Sequence, residues 1–336
     1  ATQLIWFSLI LSLGVMTLMY VGKGLILNHV FGQIEADVYG HADTYMMIVN
    51  ASIPFLALYN AGAAIFRSIG NSNISMRVSL IMNGINVVGN AILIYACKCG
   101  TEGVAIPTLV SRLAAAVIMI ILLIPKKSAQ AKQDSTRIYI KKSLHYRANW
   151  HMLKSILLVG IPNGLENSMF QLGKLAIQST VSTLGTAAIA AQAMTNILEN
   201  LNGIAAIGVG VGLMTIVGQC LGAGRKDEAV YYIKKLCVIA EIVVLTSCLI
   251  VFALTKPVTI LGGMEKESAD MCFHMVMWIT IMKPLVWTMA FVPGYGLRAA
   301  GDVKFSMITS CCTMWACRFC LCVFLIRVMG FGPMGV

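Results

Sequence analysis

The chain has 336 residues, of which 58% are hydrophobic and only 12% are charged, and its formal net charge is +11. Its mean hydropathy of +0.81 lies far above that of soluble globular domains. This composition excludes an ordinary soluble domain and predicts a protein whose main solvent is lipid.

Apolar blocks of about 20 residues, the length that crosses a bilayer core, recur along the whole chain. Some contain no Asp, Glu, Lys or Arg, and the others carry one or two such residues. Each block can satisfy its own backbone hydrogen bonds as a helix, as a membrane span must. In chain order the nine predicted spans are residues 1–22, 44–66, 78–97, 101–125, 155–182, 187–217, 236–255, 271–297 and 305–326.

The basic residues indicate topology rather than nucleic-acid binding, because they concentrate on alternate loops. Eight of them lie from Lys126 to Lys154, between two predicted spans. The positive-inside rule therefore places the 126–154 loop in the cytoplasm and the 28–40 loop outside. We expect a multi-pass protein of a bacterial-type inner (plasma) membrane.

Two stretches of the chain repeat each other at a constant offset of 231 residues. In each copy an apolar span ends in an arginine, a short glycine-containing turn follows, and a new span begins with serine and methionine. An even number of predicted spans separates the copies, so both turns face the same side and the halves form a parallel repeat. The matched positions are Arg67, Gly70, Asn71, Ser75, Met76 and Ser79 with Arg298, Gly301, Asp302, Ser306, Met307 and Ser310.

The register of this repeat predicts the organisation of the chain. Span 1–22 corresponds to residues 232–253, so the spans within 155–224 require partners before residue 1, and span 101–125 requires one after residue 336. We therefore expect an all-α polytopic membrane protein with two pseudo-symmetric six-helix lobes, incomplete at both ends, holding nine of twelve helices. Its expected parts are an N-terminal lobe at 1–125, a basic cytoplasmic linker at 126–154 and a C-terminal lobe at 155–336.

An ordered set of motifs carries a family resemblance. In the second half the motifs lie at residues 160–162, 184–193 and 208–229. In the first half Asn86 and Asn90 stand four residues apart, and residues 103–105 and Thr108 follow them. Together these segments resemble the multidrug and toxic compound extrusion (MATE) family, with the chain covering about helices 3 to 11 of 12.

The resemblance implies a secondary active exporter of organic, cationic compounds or drugs, driven by proton- or sodium-coupled antiport with alternating access of two lobes. H⁺ or Na⁺ would be the coupling ion, with no other cofactor, and we expect a monomer among membrane lipids. The alternative is a flippase of lipid-linked oligosaccharides, which would be expected to line its cavity with more basic residues. Where many family members carry a coupling Asp in the fifth helix this chain has Asn90, and Glu166 lies about one turn before the seventh-helix Glu of one branch.

Ionisable side chains at membrane depth are the first candidates for function, because burying each one in lipid costs free energy. Glu166 is the leading candidate. Asn163, Asn167, Lys174 and Gln178 recur near it at helical spacing, which predicts a polar stripe facing a wet cavity. Glu166 either takes part in coupling or pairs with a lysine so that both charges are neutralised.

Polar side chains form two further stripes. In span 187–217, Gln192, Asn196 and Glu199 are spaced by three or four residues, and they either line a substrate surface or hydrogen bond to neighbouring helices. In the first half the matching stripe contains Asn83, Asn86 and Asn90, and it either coordinates a cation or an organic amine without charge or serves packing. The family resemblance groups Asn86 with Thr108.

Lys283 directly precedes Pro284 in the middle of a predicted span. We hypothesise that Lys283 pairs with Glu166 or Glu199 in one state and that protonation of the acid breaks the pair. A purely structural ion pair is the alternative.

Other motifs point to packing. The five histidines form no clustered constellation of the kind an integral membrane enzyme needs, so we expect no enzymatic activity. The cysteine cluster at 311–322 lacks histidine partners, so we assign it no metal site, and a sodium site stays unassigned. Gly208, Gly210 and Gly212 are interpreted as positions of close helix packing.

Overall fold

The computed structural model describes residues 2–25, 36–124, 149–181 and 185–327, and every regular element in these ranges is helical. Eight helical stretches there are long and apolar enough to cross a membrane. The remaining predicted span, 155–182, lies within a helix at Trp150–Val181, apart from residue 182, and this helix is 32 residues long but is not among the eight apolar stretches. The predicted all-α polytopic fold is confirmed. Residues 126–148 of the expected linker and 28–35 of the expected outer loop lie outside the described residues.

The chain forms two compact units, Ala1–Ile156 and Leu157–Val336. In the first unit, α3 (Ile53–Ser68) and α5 (Glu102–Leu123) contribute most of the core. Phe66, Val78 and Met119 are buried together in it. Gly62 lies on α3 where an added Cβ would be 3.2 Å from Met119, so a small residue lets the two helices approach closely. The helices are α1 (Thr2–Leu25), α2 (Ala36–Ala51), α3 (Ile53–Ser68), α4 (Ser72–Ala91), with a π-helical extension at Ile92–Ala96, and α5 (Glu102–Leu123).

A break at Ser52 divides the predicted span 44–66 into α2 and α3. Pro54 follows the break in the first turn of α3, where its missing N–H leaves no intrahelical bond unmade. The Ser52 hydroxyl donates to the Val49 carbonyl at 2.6 Å and accepts a hydrogen bond of 2.6 Å from Arg112 on α5. A cation from the neighbouring helix therefore holds this break.

In the second unit, three helices pack against one another: α7 (Thr186–Gly222), α8 (Lys226–Leu261) and α9 (Lys266–Ala299). Their core includes Leu213, Ala240 and Val292. Ile177 of helix α6 (Trp150–Val181) is buried together with Met314 of the last helical stretch, and Phe170 of α6 contacts Phe291 of α9. At a rise of about 1.5 Å per residue the longest helices reach about 55 Å, well beyond a hydrocarbon core of about 30 Å, so they extend past the predicted apolar blocks. The helices are α6 (Trp150–Val181), α7 (Thr186–Gly222), α8 (Lys226–Leu261), α9 (Lys266–Ala299), α10 (Val303–Cys312), a π-helical turn at Thr313–Phe319, and α11 (Cys320–Arg327).

The two repeated turns have the same backbone conformation. Gly70 and Gly301 adopt left-handed φ angles of 85° and 90°, which only glycine reaches without strain, and each ends its helix in a Schellman motif. The turn between α7 and α8 has the same form, with Gly224 at φ 76°. The backbone conformation therefore does not by itself set the two repeated turns apart from other turns of the chain. The evidence for the repeat is the matching residues around them.

The interpretation of three glycines as packing positions is correct for only one. A Cβ at Gly210 would lie 2.4 Å from the ring of Tyr295, so α7 and α9 touch there only because the side chain is absent. Gly208 and Gly212 face open space, with no side chain within 4 Å of an added Cβ.

Candidate functional site

A buried ion pair joins α6 to α9. Arg298 Nη2 donates a hydrogen bond of 2.5 Å to Glu166 Oε1, and the Glu166 side chain is 9% exposed. The second carboxylate oxygen of Glu166 is buried without a hydrogen-bonding partner. Arg298 also lies over the ring of Tyr295, 5.4 Å from its centroid. The two charges stabilise each other by direct contact, while the second carboxylate oxygen of Glu166 remains available to accept a proton or a cation.

This pairing differs from the one considered in the sequence. Glu166 meets an arginine rather than Lys283 or another lysine. In the sequence, Arg298 belongs only to the repeated turn, because it ends an apolar block. The structure continues α9 to Ala299, which places Arg298 within the last helical turn and turns its side chain towards α6.

Lys283 and Glu199 lie together at a cavity of about 660 Å³ in the second unit. Lys283 is 8% exposed, and its ammonium donates to the backbone carbonyl of Glu199 at 3.3 Å rather than to the carboxylate. The same ammonium stands over the Trp287 ring, 5.5 Å from its centroid. The two residues named in the sequence hypothesis are thus neighbours, but the bond between them runs through the backbone.

A chain of hydrogen bonds connects α4 and α5 in the first unit. Asn90 Nδ2 donates to Asn86 Oδ1 at 3.2 Å, and Asn86 Nδ2 donates to the Thr108 hydroxyl at 3.1 Å. The hydroxyl in turn donates to the Val104 carbonyl at 2.9 Å. Asn90 Oδ1 is buried without a hydrogen-bonding partner, so the chain ends in a free acceptor. The predicted grouping of Asn86, Asn90 and Thr108 is what the structure contains, while Asn83 of the same stripe is exposed.

The remaining predicted site residues do not line the cavity. Asn167 is exposed and donates only to the carbonyl of Asn163 on its own helix, at 2.8 Å. Gln192 is buried with its side-chain oxygen unpartnered, and Asn196 is partly buried on the same helix. In the described part of the chain no group of three or more His, Cys, Asp and Glu residues is arranged to hold a metal ion.

Two features of the structure, one polar and one aromatic, were not predicted from the sequence. The contact between Arg112 and Ser52 joins residues 60 positions apart, and only the break in the helix signalled by Pro54 pointed towards it. The aromatic side of the cavity, formed by Phe170, Trp287 and Phe291, was hidden because single aromatic residues in apolar blocks are common.

Comparison with known proteins places the chain in a family. The model of the MatE family matches residues 1–92 and 162–324, which is most of the chain. A relative in Thermotoga maritima, named as the probable multidrug resistance protein NorM, is 22% identical over 99% of this chain and 71% of its own length. The transporter YisQ of Bacillus subtilis is 24% identical over 92% of this chain and 67% of its own length. YpnP of the same organism, named as a probable multidrug resistance protein, is 25% identical over 83% of this chain, which spans 60% of that relative.

Solved structures share the fold. An outward-facing multidrug resistance MATE transporter of the MOP superfamily superposes with a TM-score of 0.86 at 18% identity, over 100% of this chain and 74% of its own. A MATE structure in a bent conformation gives a TM-score of 0.83 at 18% identity, over 99% of this chain and 71% of its own. With the family model matching both halves, the chain belongs to the MatE family, the multidrug and toxic compound extrusion transporters.

Proposed function

We propose that the protein carrying this chain exports small organic compounds across a bacterial plasma membrane by antiport against protons or sodium ions, with alternating access. The observation that carries the proposal is the match of the family model to both halves of the chain. Relatives named for multidrug resistance support the choice of drugs and similar compounds. The names of these relatives do not favour the alternative, flipping of lipid-linked oligosaccharides.

The same proposal includes the organisation inferred from the sequence. An N-terminal lobe at 1–125 and a C-terminal lobe at 155–336 alternate in access, and the basic segment 126–154 connects them in the cytoplasm. The division of the described chain into compact units at Ile156 is consistent with this assignment. The protein works as a monomer among membrane lipids.

Glu166 is proposed as a coupling carboxylate of the C-terminal lobe. Its burial, its bond to Arg298 and its unpartnered second oxygen support this role. Protonation of Glu166, or a sodium ion on its free oxygen, would weaken the attraction to Arg298 and release α6 from α9. Lys283, which already contacts Glu199 through the backbone, would pair with a carboxylate of the cavity in another state.

The polar chain of the first unit is proposed as a second cation-sensitive position. Asn86, Asn90 and Thr108 supply neutral oxygen ligands, which suit sodium better than a proton, and the free oxygen of Asn90 is available for coordination. Asn163, Asn167, Gln192 and Asn196 remain proposed as polar positions for substrate or cation along α6 and α7.

Efflux from proteoliposomes tests this function. The protein is reconstituted with a fluorescent compound inside, and a proton or a sodium gradient is imposed separately. We expect one gradient to drive efflux, and Glu166→Gln to abolish the response to it while the exposed Glu228→Gln keeps it. Absence of efflux of any tested drug under both gradients would refute the proposal.

A further inference from the structure

The cavity of the second unit contains more positive than negative side chains. Its volume of about 660 Å³ is in the range that holds a drug-sized molecule. The charged residues that line it are Lys174 from α6, Glu199 from α7, Lys283 from α9 and Arg318 from the π-helical turn. Three cations therefore face one carboxylate.

No ion pair of the described residues neutralises these cations. The three ion pairs found there are Lys23 with Asp43, Arg225 with Glu228, and Arg298 with Glu166, and none of these six residues lines the cavity. Because Glu166 is already paired with Arg298, it does not balance the cavity. An excess of two positive charges remains at this surface.

Lys283 is the best-placed of the three cations to bind a ligand. An ammonium has three N–H donors, whereas Lys283 makes one hydrogen bond, to the Glu199 carbonyl, and rests on the face of Trp287. Its side chain is more than nine-tenths buried and borders the cavity. A buried ammonium with free donors is stabilised most by an anion, since charge-assisted bonds are the strong ones.

Part of the apolar wall of the cavity is aromatic, and the rest is aliphatic. Trp287 and Phe291 stack at 4.9 Å with an interplanar angle of 20°, and Phe170 meets Phe291 edge-on at 6.3 Å. Tyr295 adds a fourth ring to the lining. Stacked and edge-on rings offer flat faces to a planar aromatic body.

From this combination we infer that the second-unit cavity binds an amphipathic organic anion, a flat aromatic or apolar body that carries a carboxylate, sulfonate or phosphate group. The inference rests on the proposed export function and names its substrate class for this lobe. It departs from the cationic substrates that the family resemblance implies, because a cation here would meet like charges without a surplus carboxylate to hold it.

The anionic group can come from a soluble compound or from the headgroup of an anionic lipid. Both present the same chemistry to Lys174, Lys283 and Arg318. The two sources are separated by supplying each one alone.

Two dyes with the same xanthene body test the inference, because fluorescein is an anion and rhodamine 123 is a cation. Binding of each dye to the purified chain in phosphatidylcholine nanodiscs is followed by fluorescence anisotropy. We expect fluorescein to bind at least tenfold more tightly than rhodamine 123, and Lys283→Met to weaken fluorescein about tenfold or more. Lys256→Met is the matched control, because Lys256 also lies over a ring, that of Phe273, but does not line the cavity.

Further variants keep the inference testable if Lys283→Met does not fold. Lys174 is exposed and Arg318 is partly exposed, so Lys174→Met and Arg318→Met should keep the fold and still weaken fluorescein. Lys174→Glu should weaken fluorescein and strengthen rhodamine 123, a reversal that lost packing alone does not produce. Adding phosphatidylglycerol to the nanodiscs identifies the source: competition with fluorescein assigns the site to a lipid headgroup, and no competition assigns it to a soluble anion.

Tighter binding of rhodamine 123 than of fluorescein, or fluorescein binding that is unchanged in all three cavity variants, would overturn the inference. These outcomes are separate from failure of the proposed function. Export of rhodamine 123 with no binding of fluorescein leaves export standing and removes the anion site, whereas fluorescein binding without export of either dye under any gradient does the reverse.

Discussion

Arg298 donates its hydrogen bond to Glu166 across 132 positions of sequence, and this contact ties α6 to α9 through a carboxylate that is almost fully buried. Taking two charges out of water costs free energy that only their mutual contact offsets. The pair is therefore more sensitive to loss of one partner than to loss of both.

We expect a double-mutant cycle to show this coupling. Arg298→Met should lower the free energy of unfolding by about 2–4 kcal/mol, because it leaves a buried carboxylate without its cation, and Glu166→Gln should cost less, because the amide is neutral. The double variant should recover about 1–3 kcal/mol relative to the sum of the single ones. Thermal unfolding in detergent measures all three.

The exposed pair Arg225 and Glu228 is the matched control, since its side chains are in contact at 3.1 Å on the surface and should contribute less than about 1 kcal/mol. Additive effects of the Glu166 and Arg298 substitutions would show that the two side chains do not act as a pair.

The helices were predictable from the sequence because the length of an apolar block is a local property. The partner of Glu166 was not, because a contact between α6 and α9 depends on how distant segments pack. The polar stripe on α6 shows how far residue spacing along one helix predicts the site. At about 100° per residue, Asn163, Asn167, Lys174 and Gln178 point on average about 90° away from Glu166, so Glu166 lies at the edge of the stripe. The structure accordingly turns Glu166 to Arg298 and leaves Asn167 exposed.

The first-unit site was more accessible to sequence reasoning. Asn86 and Asn90 are one helical turn apart, so their bond is local, and Thr108 joins them because α4 and α5 are consecutive helices. The close approach of these helices depends on Gly89, where an added Cβ would be 2.8 Å from Pro107. That glycine carries no signal by itself, since many glycines in spans face open space.

Two glycines on α7 provide a second prediction. Gly210→Ala should destabilise the protein by about 1–3 kcal/mol, because the new methyl group overlaps the ring of Tyr295 and the ring has to move. Gly212→Ala, one half-turn further along the same helix and in open space, should be neutral or stabilising by up to about 1 kcal/mol. Thermal unfolding of both variants compares them directly, and equal midpoints would contradict the packing of α7 on α9 at this position.

The contact between Arg112 and Ser52 provides a third prediction. Arg112→Met should cost about 1.5–3 kcal/mol of stability, because the fully buried hydroxyl of Ser52 loses the charged donor that holds the break between α2 and α3. Arg77→Met, an exposed arginine of the same unit, should change stability by less than about 0.5 kcal/mol. If the two variants have the same unfolding midpoint in detergent, the contact of Arg112 with Ser52 does not contribute to stability.

Asn86 occupies the middle of the polar chain, so its loss disconnects both neighbours. Asn86→Ala should lower stability by about 1 kcal/mol, whereas Asn83→Ala, an exposed asparagine of the same helix, should have little effect.

A structural role predicts only this difference. A sodium site predicts in addition that sodium raises the unfolding midpoint of the unaltered protein in proportion to the logarithm of its concentration, and that Asn86→Ala abolishes the rise. Potassium at equal ionic strength is the control. If sodium and potassium stabilise both proteins equally, the chain of Asn90, Asn86 and Thr108 serves packing alone, since a coordinating site would distinguish the two ions by the fit of its oxygen ligands.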